Sequence, residues 1–144
     1  MKRRQTAWWA ATAAMLWLGA AHGHHGTAYF FDTSKAITLE GEVSGVEWVN
    51  PHRRLYLRVK NAEGEIEIWT LWGSSNFNGP GAAELRARLQ PGTRIVVRAF
   101  PSRSKERRSV APGNPFPNGP LEVGAGEIRF ANGDIAKFGG GPSF

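Results

Sequence analysis

The fold of this 144-residue chain is decided by residues 37–49, ITLEGEVSGVEWV, which predict one long β-strand. Apolar residues alternate along one face as far as Val43, and beyond Gly45 the alternation shifts to Val46 and Trp48. A shift of this kind at a glycine is typical of a β-bulge, which bends and twists a strand. We therefore expect a strongly curved first strand that could pair with both halves of a small barrel.

The rest of the chain predicts short strands and one helix. Alternation of apolar and polar residues is common, and helical spacing of apolar residues is found only over 82–89. The predicted strands cover residues 54–60, 65–72, 93–100, 121–130 and 135–138. A long bulged first strand and a helix between strands three and four predict an all-β fold, a small antiparallel barrel like the oligonucleotide/oligosaccharide-binding (OB) type. An open antiparallel meander or sandwich is the alternative.

Residues 1–23 have the pattern of a cleaved signal peptide. Three basic residues at positions 2–4 precede an apolar stretch over 7–18, and small residues follow at 19–23. The apolar stretch is too short to span a bilayer with ease, which favours a cleaved leader over a membrane anchor. We therefore expect export by a Sec-type signal to the periplasm or the exterior, with no transmembrane anchor after processing.

The mature chain is expected to form a single domain. A β-barrel domain is predicted over residues 24–138, beginning with an extended arm over 24–36. A flexible Gly-rich tail is predicted over 139–144.

Composition narrows the classes of partner. The chain has 18 basic and 12 acidic residues, and removal of the three basic residues of the leader leaves 15 basic residues and a net charge of +3. So small an excess does not favour a nucleic-acid partner. The chain has no cysteine, and both methionines, Met1 and Met15, lie in the leader. A metal bound to the mature chain would therefore need nitrogen or oxygen ligands.

Four motifs cover nearly all of the mature sequence. They are His24-His25; Gly41-Glu42-Val43 running on to Val46-Glu47-Trp48-Val49-Asn50-Pro51-His52; the Trp69 strand followed by Ser74, Ser75 and Asn76; and Pro91-Gly92-Thr93 with the later Asn132-Gly133-Asp134. Together they resemble a family of small exported bacterial proteins known only as a domain of unknown function, type 6152. The resemblance implies export and a single β-rich domain, and it implies no established activity.

The histidines suggest a metal site. If cleavage falls after Gly23, His24 becomes the first residue, and its amine and imidazole together with His52 could supply three nitrogens. If cleavage falls two residues earlier, a histidine stands third from the free amine, an arrangement that can wrap Cu(II) or Ni(II) in a square plane. Such donors favour copper, with zinc also possible, and the candidate ligands are His24, His25 and His52. The alternative is a solvated tail, with His52 capping a turn.

Aromatic residues on the first three strands predict a ligand-binding surface. This is the surface on which OB-type barrels bind their ligands, and exposed aromatic rings stack on sugars, bases or peptide side chains. The candidates are Trp48, Tyr56, Trp69 and Trp72, with Asn76 in the loop that follows. Tyr56 is the best exposed candidate because Leu55 and Leu57 take the inward face. The alternative is that these rings fill the core.

Catalysis finds little support in the sequence. Ser74 and Ser75 lack the glycine-flanked nucleophile elbow, and no phosphate-cradling glycine loop is present.

The basic loop at 103–108 could dock an anionic membrane surface or an acidic partner, or it could simply be solvated. The sequence therefore predicts a non-enzymatic binding or accessory module of the bacterial envelope, whose partner is a small molecule, a peptide, a glycan or an envelope protein. A histidine-based copper or zinc protein is the alternative.

Overall fold

The computed structural model of the protein describes residues 26–49, 52–74, 81–103 and 121–144. Within these ranges the chain forms six strands and two short helices. They are α1 (Thr27–Phe30), β1 (Ile37–Glu47), β2 (Arg54–Lys60), β3 (Ile66–Trp72), α2 (Ala82–Arg88), β4 (Arg94–Pro101), β5 (Leu121–Phe130) and β6 (Ile135–Lys137). The predicted leader lies outside the described residues. Neither helix has the length and apolar run that crossing a bilayer requires.

The strands form one closed barrel. β1 pairs antiparallel with β2 on one side and with β4 on the other. β4 in turn pairs with β5, and β5 pairs with β6. A parallel ladder between residues 69–72 of β3 and 121–124 of β5 joins the two halves of the sheet. The ring β1-β2-β3-β5-β4, with α2 between β3 and β4, confirms the predicted OB-like barrel. The barrel is mixed rather than wholly antiparallel, because β5 runs in the same direction as β3 where the ring closes.

β1 serves both halves of the barrel by changing partner midway. Its residues 37–42 pair with β4 and its residues 42–47 pair with β2, so Glu42 belongs to both ladders. The backbone of β2 approaches so closely here that a Cβ on Gly41 would overlap the carbonyl oxygen of Arg58. Only glycine lets the chain pass at this distance.

The predicted bulge is present in β1. The register of β1 against β2 shifts between Val43 and Gly45. Leu39 and Val43 are buried in the core before the shift, and Val46 packs against the same core after it. The extra residue therefore returns the apolar side chains to the inner face when their parity changes.

The barrel interior is filled by aliphatic side chains. Leu57 of β2, Leu71 of β3 and Val97 of β4 are fully buried there, and Leu85 of α2 and Leu89, the residue that follows α2, belong to the same cluster. Because the chain contains no cysteine, no disulfide supports this domain, and its stability rests on packing and hydrogen bonds.

The segment before β1 is docked rather than extended. We expect an extended arm over 24–36, but α1 makes one helical turn there and Phe31 forms a β-bridge with Ser102. Arg103 fixes the turn, because its Nε donates to the carbonyl oxygen of Ala28 at 2.8 Å. Backbone and guanidinium contacts to the end of β4 thus hold the described part of this segment against the barrel.

The C-terminal residues are docked as well. The sequence predicts a flexible tail over 139–144, and in the structure its backbone is hydrogen-bonded to β5. The N–H of Gly139 donates to the carbonyl oxygen of Gly126 at 3.1 Å, and that of Gly141 donates to the carbonyl oxygen of Ala125 at 3.1 Å. The glycines that suggest flexibility here let the tail backbone lie directly on the backbone of β5.

Replacing Gly41 tests the close approach of β1 and β2. Gly41→Ala should lower the free energy of unfolding by about 2 kcal/mol, because the new methyl group would meet backbone that cannot move aside without opening the ladder. Gly45→Ala is the matched control in the same strand, since its Cβ would lie at an ordinary 3.7 Å from Tyr56 Cδ2. Urea denaturation measures both. Equal effects of the two substitutions would contradict the close approach.

Candidate functional site

A cavity of about 370 Å³ opens beside the ladder between β3 and β5. Trp72 and Gly124 contribute to its wall from that ladder, and His52 contributes from the β1–β2 connection. Phe31 lines it from the N-terminal segment and Gly140 from the C-terminal tail. The volume lies in the range of small-molecule sites. We refer to it as the seam cavity.

Gly124 lets the N-terminal segment form a wall of the seam cavity. The Phe31 ring lies so close to β5 that a Cβ on Gly124 would stand 2.8 Å from Phe31 Cδ2. The two terminal segments also approach each other, since a Cβ on Gly140 would lie 3.6 Å from Thr27 Oγ1. Both ends of the described chain therefore contribute to the wall of the seam cavity.

Trp72 is the central aromatic residue of the seam cavity. Its ring meets that of His52 edge to face, with centroids 6.0 Å apart. The Arg54 guanidinium carbon lies 5.6 Å from the centroid of the Trp72 ring, a cation–π arrangement. The indole Nε1 is buried and has no hydrogen-bond partner among the described residues. This N–H is therefore a buried donor whose hydrogen bond is not made by any described residue.

The polar groups of the seam cavity are mostly uncharged. Ser74 and Ser102 contribute hydroxyl-bearing side chains to the wall, and Glu122 contributes a carboxylate. Thr70, the register partner of Glu122, is fully buried, and its Oγ1 has no hydrogen-bond partner among the described residues. Hydroxyl and carboxylate groups together can both donate to and accept from a bound molecule.

Arg53, in the β1–β2 connection, is a buried cation beside the seam cavity. It is only 4% exposed, and its Nε and Nη2 both donate to the carbonyl oxygen of Phe138, at 2.9 and 2.5 Å. Its guanidinium also lies 4.7 Å from the centroid of the Phe138 ring. Burial, and then the nearby charge of Arg86, lower the pKa of the Arg53 guanidinium. Arg53 thereby ties the β1–β2 connection to the end of β6.

Sequence reasoning missed Arg53, although a signal was present. Arg53 has the same parity as Leu55 and Leu57, so continuing the alternation backward from β2 places it on the inward face. An arginine on an inward face next to a predicted turn indicates a buried cation that needs carbonyl acceptors.

A polar network covers the outer face of β1 and β2. Glu47 accepts a hydrogen bond from the Tyr56 hydroxyl at 2.8 Å and forms an ion pair with Arg54 at 2.7 Å. Burial, and next the hydrogen bond to Glu47, raise the pKa of Tyr56 to about 12. Tyr56 is 8% exposed and packs with Ile68. The expectation that it is the best exposed ring is therefore wrong: its side chain takes the outer face but is covered there.

The structure does not bring the predicted aromatic residues onto one surface. Trp69 packs against the core, and its Nε1 donates to Glu67 Oε2 at 3.0 Å. Trp48 also packs against the core, and the guanidinium carbons of Arg53 and Arg86 lie 5.9 and 5.1 Å from its ring centroid. Of the predicted aromatic residues, Trp72 lines the seam cavity.

The remaining predicted site residues are only partly described. His52 lies in the wall of the seam cavity, whereas His24, His25 and Asn76 lie outside the described residues. Within the described ranges, no group of three or more His, Cys, Asp or Glu side chains is placed to hold a metal ion. Of the predicted basic loop at 103–108, the structure describes Arg103, which bonds the N-terminal segment.

The strand order and the cavity define a small OB-type β-barrel. Its terminal segments form part of the wall of the seam cavity. The chain belongs to the DUF6152 family, a family of unknown function whose sequence profile matches residues 13–111. This confirms the resemblance drawn from the sequence motifs.

The chain is also similar to part of a fungal protein. Over 88 residues it is 32% and 31% identical to dipeptidyl-peptidase 5 from two strains of Aspergillus fumigatus. The matched segment covers 60% of this chain and 12% of each fungal protein. The chain therefore corresponds to a small part of those proteins.

The raised pKa of Tyr56 predicts a pH dependence of stability. Its folded-state pKa of about 12 lies above the ordinary 10.0, so the stabilisation is complete below pH 10 and is lost as the pH rises toward 12. Between these pH values the free energy of unfolding should fall by about 1 to 2 kcal/mol more in the native protein than in Tyr56→Phe. Urea denaturation across this range measures the difference. Parallel loss in both proteins would contradict the assignment.

Proposed function

We propose that this protein is a non-enzymatic binding module of the bacterial envelope and that the seam cavity is its ligand site. The observation that carries the proposal is the composition of the cavity wall. The wall combines the β1–β2 connection, the ends of β3, β4 and β5, and both terminal segments. In OB-type barrels, the loops between strands 1 and 2 and between strands 4 and 5 flank the binding surface. The seam cavity lies beside the described ends of both of these loops.

The polar contacts at the cavity support a binding role rather than catalysis. Ser74 Oγ lies 3.4 Å from Arg53 Nη2, a cation that cannot act as a general base for a serine nucleophile. The sequence around Ser74 also lacks a nucleophile elbow. A small molecule, or one residue of a peptide or glycan, matches the size of the cavity.

The proposed envelope location rests on residues 1–23. Their basic start, apolar middle and small-residue end support removal during export. Intact mass of the full chain recovered from the periplasm of a bacterial host tests this point. A mature protein that begins between His22 and His24 supports the location, and uncut protein in the cytosol contradicts it.

The ligand site can be tested by mapping small-molecule binding on the mature protein. In a fragment screen followed by NMR, we expect binding fragments to shift the amide signals of Gly73, Gly124 and Gly140. Gly124→Val should abolish these shifts because it displaces the Phe31 wall, whereas Gly26→Val is the matched control, since a Cβ there meets nothing within 4 Å. Shifts that cluster elsewhere, or that survive in Gly124→Val, would contradict the proposal.

A histidine-based copper or zinc protein is the second candidate, and one observation favours it. His52 lines the seam cavity together with Thr27, which follows the His24-His25 pair by two residues. The chain thus leads from the predicted N-terminal ligands to the cavity that contains the third. Nitrogen donors of this kind suit Cu(II) and Zn(II).

Metal titration tests this second candidate. Metal-free mature protein should bind Cu(II) or Zn(II) more tightly than the micromolar range, and His52→Ala should weaken the affinity by about tenfold or more. Isothermal titration calorimetry measures both affinities. An affinity that His52→Ala leaves unchanged would contradict the three-nitrogen site.

A further inference from the structure

We propose that residues 26–31 form a strap that leaves the barrel as one unit, and that Arg103 is the residue that holds this strap in the wall of the seam cavity. The strap contains α1 and Phe31, and it contributes Thr27, Phe30 and Phe31 to the wall. This inference deepens the proposed function, on which its meaning for ligand binding rests. It adds a means of opening and closing one wall of the same cavity.

The strap lies outside the ladders that close the barrel. The first barrel strand begins at Ile37, and among the described residues the strap meets the sheet through an isolated bridge between Phe31 and Ser102. None of the four residues of α1 is buried. Release of the strap would therefore break no ladder of the ring and would expose little core surface, which is the condition for local opening without global unfolding.

Hydrogen bonds from Arg103 hold the strap in its docked position. The Arg103 Nε donates to the carbonyl oxygens of Ala28 at 2.8 Å and Phe31 at 3.2 Å. The Arg103 backbone N–H donates to the carbonyl oxygen of Phe30 at 2.9 Å. One residue thus binds three carbonyl groups of the strap. A single helical turn is not stable in water by itself, so α1 should lose its structure when these contacts open.

A turn that follows the strap provides the pivot. The Ser34 hydroxyl donates to Asp32 Oδ1 at 2.6 Å, and the Lys35 N–H donates to the carbonyl oxygen of Asp32 at 3.2 Å. Both bonds are local to residues 32–35, so they can persist when the strap leaves. The Asp32 N–H also donates to the carbonyl oxygen of Pro101 at 2.8 Å, which fixes the turn to the end of β4. The strap can therefore move about an anchored point.

Movement of the strap would change the seam cavity directly. The Phe31 ring lies against Gly124 in the docked strap, whereas Arg103 is not one of the described residues that line the cavity. Arg103 is therefore a positioning residue, which acts on the cavity through the strap. A molecule that contacts the strap from inside the cavity binds the docked form more tightly, and by linkage it should hold the strap in place.

Amide hydrogen exchange of the mature protein, followed by NMR, tests the strap without a ligand. The reporters are the Phe31 amide, which donates to the carbonyl oxygen of Thr27 at 2.9 Å, and the Arg103 amide. The reference is the amide of the fully buried Val43, which donates to the carbonyl oxygen of Thr93 at 2.9 Å. Both reporters should exchange at least about a hundredfold faster than the reference, because they open with the strap rather than with the barrel.

Arg103→Ala tests the role of the guanidinium. Loss of its hydrogen bonds should speed exchange at Phe31 about tenfold and leave exchange at Val43 unchanged. Arg98→Ala is the matched control. It removes an arginine of β4 whose Nη1 donates to Thr38 Oγ1 at 3.0 Å, away from the strap, so exchange at Phe31 should keep its native rate.

An engineered disulfide gives an independent variant. A Cβ on Gly140 would lie 3.6 Å from Thr27 Oγ1, so Thr27→Cys combined with Gly140→Cys brings two thiols within reach of each other. The chain has no cysteine that could compete. With the disulfide formed, exchange at Phe31 should be about tenfold slower than in the native protein, and reduction with dithiothreitol should reverse the effect.

The outcomes separate this inference from the proposed function. Exchange of both reporters at the rate of Val43 would overturn the strap, since the segment would then leave only when the barrel unfolds. An exchange rate at Phe31 that Arg103→Ala leaves unchanged would overturn the role of Arg103.

The fragments of the binding screen complete the test. Fragments that shift the Gly124 amide should slow exchange at Phe31, and fragment binding without such slowing would contradict the coupling of strap and cavity. Reporters that behave as expected while no fragment shifts Gly124 would support the strap and contradict the seam cavity as the ligand site.

Discussion

The close passage of Gly41 beneath the carbonyl oxygen of Arg58 is the constraint on which the rest of the structure depends. At this point β1 leaves its ladder with β4 and joins β2, so one strand carries hydrogen bonds to both halves of the sheet. The bulge between Val43 and Gly45 then keeps apolar side chains inside while the strand bends. With the two halves joined through β1, the sheet curls until β3 and β5 meet.

Closure of the ring also determines where the candidate site lies. The β3–β5 ladder brings Trp72 beside Gly124, and the absence of a side chain at Gly124 lets Phe31 lie against β5. The C-terminal tail packs on the same strand through backbone hydrogen bonds. The seam cavity therefore depends on long-range pairing and on glycine, and a substitution that opens the ring should remove it without touching its lining residues.

Features that depend on local sequence were predictable, and features that depend on distant segments were not. The bulge at Gly45, the helix α2 and the final hairpin at Gly133 follow from parity, helical spacing and turn residues. The parallel β3–β5 ladder and the docked tail join segments that are far apart in sequence, so no local pattern reveals them.

For the site, alternation predicted that Tyr56 takes the outer face, but it gave no information about what covers that face. His52 and Trp72 were both selected from the sequence, whereas their meeting in one cavity was not. His24, His25 and Asn76 stay predictions.

The closing ladder is the most direct point at which to test this account. Through-space NMR contacts between the backbone protons of Thr70–Trp72 and those of Glu122–Gly124 in the mature protein would detect it. The account predicts a continuous series of parallel-strand contacts between these segments, together with slow exchange of their ladder amides with solvent. Absence of these contacts, with the β3 amides exchanging as those of an open edge strand, would contradict the closed barrel and the seam cavity with it.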